Sequence, residues 1–216
     1  MKLPPISINK DIAIAETMPS YYYTNSYYYN NTIDKIFKNS WQILTEKLDL
    51  EKINPVKFLR DSINEPLLLT YNNQYNLFSN VCTHRGNILC KKRDSSSKIR
   101  CNYHGRTFDK EGKILKAPGF SKTKNFPQLN DSLKNYPIKE WKNFLFYSLG
   151  AKVKIDKVLA DIEKRLFDFP FNEIYLDKKK STTYTLDANW ALYCENYLEG
   201  LHVPFIHKGL NSDIDL

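Results

Sequence analysis

Cys82-Thr83-His84 and Cys101-Asn102-Tyr103-His104 each place one thiol and one imidazole on a short stretch of chain, with the sixteen residues 85 to 100 between them. The other two histidines, His202 and His207, follow closely on Glu199, so all four histidines of the 216 residues fall into two compact groups. Ordinary packing or surface polarity would scatter them. In the first group, the pairing of thiolate with imidazole suits a [2Fe-2S] cluster in which two His replace two Cys on one iron. Cys82 and Cys101 would hold one iron, and His84 and His104 the other. Gly86 and Gly105 follow the ligand histidines, where close approach of backbone to a cluster leaves no room for a Cβ. A structural zinc bound by Cys2His2 is the rival reading. Zinc fingers, however, pair Cys with Cys and His with His within each knuckle, and here each loop carries one of each.

The second group suits a mononuclear metal. Glu199 and His202 are i and i+3, neighbours on one face if the segment is helical. His202 and His207 are i and i+5, about 140° apart on a regular helix, so an undistorted helix could not aim both at one ion. Pro204 lies between them and is expected to break or kink the helix and swing His207 back. The alternative is a pair of capping or core histidines near a helix end. Two His and a carboxylate on one face of Fe(II) leave positions open for O2 and substrate. Asp213 and Asp215 are the nearest downstream carboxylates.

The elements that must position these groups can be read from pattern. Residues 1–40 form a polar, aromatic arm with one helix at about Asn31 to Phe37. Its Tyr21-Tyr22-Tyr23 and Tyr27-Tyr28-Tyr29 runs are read as packing against the body, not as a platform for stacking bases. Residues 41–150 read as short strands and turns. Pro66 to Tyr71 and Gln74 to Phe78 form a hairpin around Asn72-Asn73 that delivers the chain to the first loop, and Lys142 to Leu149 is a closing strand ended by Gly150. Val153 to Phe167 has helical spacing and suits a linker helix within 151–174. In 175–216, Tyr175 to Leu186 reads as a strand and Asn189 to Leu201 as a helix. Cys90 and Cys194, outside both groups, read as buried small hydrophobes in a reducing compartment.

Composition excludes some classes. With 42% hydrophobic and 26% charged residues the chain is an ordinary globular one. No stretch approaches the roughly 18 apolar residues of a membrane span, and the N-terminus has no apolar signal core, so the cytoplasm is the expected location. The formal net charge of +8 is assigned to solvated faces such as Lys178-Lys179-Lys180, with neither nucleic acid nor membrane as partner. A basic surface also suits docking of an acidic electron donor.

Cys82-Thr83-His84-Arg85-Gly86 through Leu89-Cys90, and Cys101 to Asp109 followed by Glu111-Gly112-Lys113, resemble the cluster loops of the Rieske non-haem iron oxygenases, the aromatic-ring-hydroxylating dioxygenase alpha-subunit family. Asn102 stands where that family usually has Pro, and Arg106 where it usually has Trp. Asn189 to His207 resembles the start of the same family's catalytic domain. The resemblance implies a mixed fold, an all-β Rieske [2Fe-2S] domain followed by the start of an α+β (helix-grip) catalytic domain. It further implies that His202 and His207 bind a mononuclear Fe(II), and that Glu199 bridges to the Rieske site of a neighbouring subunit in a homotrimer. NAD(P)H electrons would arrive through a separate reductase or ferredoxin. O2 would then be activated to hydroxylate or demethylate a small organic substrate. The family's third ligand is an Asp or Glu far downstream, so the chain reads as cut within its catalytic domain. Glu at the bridge, with Tyr197-Leu198-Glu199-Gly200 and Val203-Pro204-Phe205, looks most like the branch acting on choline, betaines or carnitine. The runner-up is a Rieske ferredoxin-like electron-transfer protein without oxygenase chemistry of its own.

Overall fold

A computed structural model describes residues 5–47, 50–57 and 62–213. Its contacts divide the chain into two compact units, residues 33–181 and residues 1–32 with 182–216.

The larger unit is built on antiparallel strands in three sheets. β1 (Gln42–Glu46) pairs with β10 (Phe144–Tyr147), which pairs with β9 (Ile138–Trp141). A second sheet has the order β2 (Ile53–Val56), β3 (Leu67–Asn72), β4 (Gln74–Ser79), β8 (Asn135–Tyr136). A third joins β5 (Ile99–Arg100), β6 (Thr107–Phe108) and β7 (Ile114–Lys116). The run Leu67-Leu68-Leu69 explains the layering. Alternate side chains of a strand point to opposite faces, and both faces of β3 are buried. Leu68 enters one core with Ile53, Phe78, Phe108, Cys82 and Cys101. Leu67 and Leu69 enter another with Leu77, Tyr136, Leu145 and Tyr147. The first of these cores therefore carries both Cys82 and Cys101.

The expected hairpin is β3–β4, but its tip is tighter than a two-residue turn. Asn72 still pairs with Gln74, leaving Asn73 alone at the tip with φ 61°, a region that Asn tolerates better than most residues. The closing strand is shorter than expected, because Lys142 at φ 51° makes the turn from β9 into β10. The linker helix runs Asp156–Arg165, with Asp156 in its first turn and Lys164 and Arg165 in its last, each charge opposing the nearby end of the helix dipole. Trp141 Nε1 donates to Glu163 (2.8 Å) and fastens this helix to β9.

At the turn between β6 and β7, Gly112 has φ +79° and its position faces the Phe78 ring. A Cβ there would meet Phe78 at 2.6 Å. Gly112→Ala is expected to cost about 2–4 kcal/mol, combining left-handed strain with overpacking of a core aromatic. Chemical denaturation of the variant measures it, and a loss below about 0.5 kcal/mol would contradict the packing described.

In the smaller unit the arm forms two helices, Ser20–Thr24 and Ser26–Lys35, the second beginning several residues before the expected Asn31. Asn25 Oδ1 accepts from the Tyr27 amide (2.9 Å) and starts it. The arm has ring contacts of its own. Its tyrosines pack on one another, Tyr21 and Tyr28 at 5.5 Å between centroids, and the arm joins the C-terminal segment: Tyr23 Oη donates to Glu195, and Asn189 Nδ2 donates to Tyr23 O (3.0 Å). The expected strand over 175–186 is absent. A strand exists only as part of a ladder, no described segment pairs with these residues, and Tyr184 and Leu186 are exposed. The expected helix is present but shorter, Trp190–Leu198, with Asn189 as its cap accepting from Ala191 N (3.0 Å). Its outer face is apolar and uncovered among the described residues, which is why Cys194 is exposed instead of buried. Cys90 is half-buried, and burial pushes its thiol up to about 11. No helix among the described residues is long and apolar enough to cross a membrane.

Candidate metal centres

The two cysteine–histidine loops have the same backbone construction. The amide of Cys82 donates to Asn87 O (2.8 Å) and that of Gly86 to Cys82 O (3.0 Å). In the second loop the amide of Cys101 donates to Arg106 O (2.8 Å) and that of Gly105 to Cys101 O (3.0 Å). Each loop closes with a glycine at positive φ, 69° at Gly86 and 74° at Gly105. Within the chain that conformation is what selects glycine at Gly86, since a Cβ there would meet only the Val81 side chain at 4.0 Å. Asn87 was not singled out in the sequence, yet its Nδ2 lies 3.7 Å from Cys101 Sγ. A donor aimed at a thiolate sulfur stabilises its charge.

The loops bring the four ligand candidates together as two pairs. Cys82 and Cys101 are buried side by side, at 3% and 2% exposure. The His84 and His104 rings stand 4.8 Å apart at 65°, on the outer side where His104 is exposed. Tyr103, also exposed, lies over His104 with 3.8 Å between centroids. Burial pushes the Cys82 thiol up. Burial acts in the same sense on Cys101, but the amides of Tyr103 and His104 together with the Cys82 and Asn87 side chains outweigh it and hold that thiol below its ordinary value. Burial, then the charges of His104, Arg106 and Arg85, hold the His84 imidazole below its ordinary value. One thiol pair inside and one imidazole pair outside fit a cluster whose two irons take different ligands. No three His, Cys, Asp or Glu side chains among the described residues gather as a group that could hold one ion.

Arg106 joins the loops from behind. Its side chain is buried, and Nη1 donates to Thr83 Oγ1 (2.9 Å) and Asp131 Oδ1 (3.3 Å). Thr83 Oγ1 in turn donates to Asp131 O (2.7 Å). The guanidinium lies over the rings of Phe120 (5.3 Å) and Phe126 (5.5 Å). No sequence signal tied Asp131, 25 residues away, to this loop.

The second group is organised differently from the expectation. The helix ends at Leu198, and Glu199 is extended, with φ −116° and ψ 151°. Glu199 and His202 therefore do not share a helix face. They meet across the turn at Gly200, where Glu199 carboxylate oxygens accept from His202 Nδ1 and from the Leu201 amide. Pro204 does not kink a continuous helix; it sits in the first turn of a new one, Val203–Ile206, where its missing N–H costs nothing. His202 and His207 flank that short helix, and their rings come to 5.3 Å between centroids. Hydrogen bonding to His202, burial acting in the opposite sense, and the Leu201 amide leave the Glu199 carboxyl below its usual range. Since Nδ1 is engaged by Glu199, Nε2 of His202 is the nitrogen left for a metal. Asp213 bonds locally to Ser212 and joins no three-ligand group with the histidines. Asp215 lies outside the described residues.

Residues 40–129 match the Rieske [2Fe-2S] domain family, and residues 175–216 match the catalytic domain of the ring-hydroxylating alpha subunit. Choline monooxygenase of Arabidopsis thaliana is 29% identical over 94% of this chain and 51% of its own length. The carnitine monooxygenase oxygenase subunit of Acinetobacter pittii is 26% identical over 94% of this chain and 56% of its own. The chain thus spans about half the length of the curated relatives it matches. Among solved structures, the quaternary ammonium Rieske monooxygenase CntA superposes with a TM-score of 0.72 at 23% identity, covering 93% of this chain and 56% of that one. Naphthalene 1,2-dioxygenase superposes with a TM-score of 0.60 at 19% identity, covering 83% and 42%. Both likenesses concern the fold.

Proposed function

From a chain built as a Rieske [2Fe-2S] domain joined to the first part of a ring-hydroxylating alpha-subunit catalytic domain, we propose that it is the electron-receiving half of a terminal oxygenase component. Cys82, Cys101, His84 and His104 hold the cluster. His202 and His207 are two ligands of a mononuclear iron whose carboxylate ligand lies outside the described residues. The arm and first helix occupy 1–40, the Rieske domain 41–150, the linker helix 151–174 and the opening of the catalytic domain 175–216. The observation that carries this reading is the paired geometry of the two loops, which separates a buried thiol pair from an outer imidazole pair.

His202 and His207 would hold the iron, which when bound would supply O2 activation. The protein's own groups do the rest. Glu199 accepts from His202 Nδ1, fixing the tautomer and ring orientation, and belongs to the path by which electrons cross from a neighbouring subunit's cluster in a homotrimer. A reductase or ferredoxin drawing on NAD(P)H loads the cluster. The substrate is a small quaternary ammonium compound, which is hydroxylated or demethylated; the names of the choline- and carnitine-oxidising relatives support that choice. The site of action is the cytoplasm.

Metal analysis of the full-length protein tests the reading. Three irons and two acid-labile sulfides per chain are expected. Two irons and two sulfides would favour a Rieske ferredoxin-like electron carrier, and a colourless protein with one zinc would overturn both.

A further inference from the structure

We propose that the ion pair of the buried Arg106 with the partly exposed Asp131 sets the reduction potential of the cluster held by the two loops, with the Arg106 guanidinium raising it. The proposal rests on the cluster assignment above and goes beyond it, because neither residue is a ligand.

Arg106 stands where the resembling family usually has Trp, and the site does not need a cation for packing. The guanidinium occupies an aromatic niche against Phe120 and Phe126 that an indole would fill at lower desolvation cost. Its Nε is buried without a hydrogen-bond partner among the described residues, so the cation is held at a penalty. Replacing a buried ion pair by apolar groups is commonly neutral or stabilising, and stability therefore does not account for Arg106. Its position does. Nη1 is bonded to Thr83, the residue between Cys82 and His84, and the Arg106 carbonyl accepts from the amide of Cys101. The guanidinium is thus bonded to the residue that joins two of the four ligands, while the Arg106 backbone is bonded to a third.

One-electron reduction adds a negative charge among buried ligands, and a fixed cation nearby favours the reduced form. Asp131 opposes this effect only in part. Its side chain is 24% exposed against 4% for Arg106, so solvent screens the carboxylate more than the guanidinium. The net contribution of the pair at the ligands is therefore positive.

The test is a mediated redox titration of the full-length protein, followed by visible absorbance and EPR, with no turnover required. Arg106→Gln should lower the equilibrium constant for cluster reduction about tenfold, which is about 59 mV for a one-electron couple. Asp131→Asn should shift it in the opposite direction, and Arg106→Lys should stay within about threefold of wild type. If Arg106→Gln loses its cluster, the upward shift in Asp131→Asn decides alone. Absence of that shift, or shifts of both neutralising variants in one direction, would overturn the proposal. A wild-type protein that binds no [2Fe-2S] cluster would overturn the loop assignment instead.

Discussion

Cys101→Ser should give a protein without the visible spectrum and low-field EPR signal of a [2Fe-2S] cluster ligated by two histidines. Cys101 is 2% exposed and belongs to the same core as Phe108, Ile99 and Cys82. Serine presents a harder, less acidic donor, and thiolate ligation is what matches the softness of cluster iron. Loss of the cluster removes more than a chromophore. The loops around 82–86 and 101–105 are short turns with few strand hydrogen bonds of their own, and a metal centre that ties them together contributes its binding free energy to folding. The variant should therefore show a lower unfolding midpoint as well as a bleached spectrum. Iron and sulfide analysis, EPR and thermal unfolding read all three consequences, and a full wild-type spectrum in Cys101→Ser would remove Cys101 from the ligand set.

What could be read from sequence and what could not divides along a physical line. The β3–β4 hairpin is legible because its short apolar runs and Asn tip are local, and the linker helix because Leu159 and its flanking charges keep helical spacing. The supposed strand at 175–186 was misread for the complementary reason. Strand character depends on a partner that sequence composition does not reveal, and these residues find none among those described. The helix before Glu199 ends three residues earlier than its spacing suggests, because the chain turns extended at Glu199 ahead of Gly200. Breaking there is what lets Glu199 turn its carboxylate onto His202.

The ligand candidates were legible because thiols and imidazoles at such spacing have few other uses. The groups acting on them were not. Asn87 reaches Cys101 by the curl of the first loop, and Asp131 reaches Arg106 from a separate turn of the chain. Neither contact has a local periodic signature. Arg106 was visible as an unusual residue, but its burial and its orphaned Nε emerge only once Phe120, Phe126 and Thr83 surround it.

Glu199→Gln separates electron storage from electron use. The Rieske loops lie in the unit of residues 33–181 and Glu199 in the other, so the variant should load its cluster and reduce it as wild type does. The effect should fall on the second iron. A carboxylate accepting from His202 Nδ1 raises the basicity of the imidazole and fixes which nitrogen would face a metal in the proposed site. Glutamine can still accept that hydrogen bond through its amide oxygen, but it offers no charge, and charge-assisted bonds are roughly twice as strong as neutral ones. Its NH2 group can also turn toward His202 and disfavour the required tautomer. The Glu199 carboxyl is held below its usual range by His202, so wild type keeps the anion at neutral pH and the variant differs from it across the working range. Single-turnover oxidation in the full-length protein should slow about 10- to 100-fold, the usual cost of losing a carboxylate that orients a metal-bound histidine. EPR of the reduced cluster should be unchanged. Wild-type single-turnover rates would show that the contact with His202 serves only the turn at Gly200, whereas a lost cluster signal would mean that the two units depend on one another for folding.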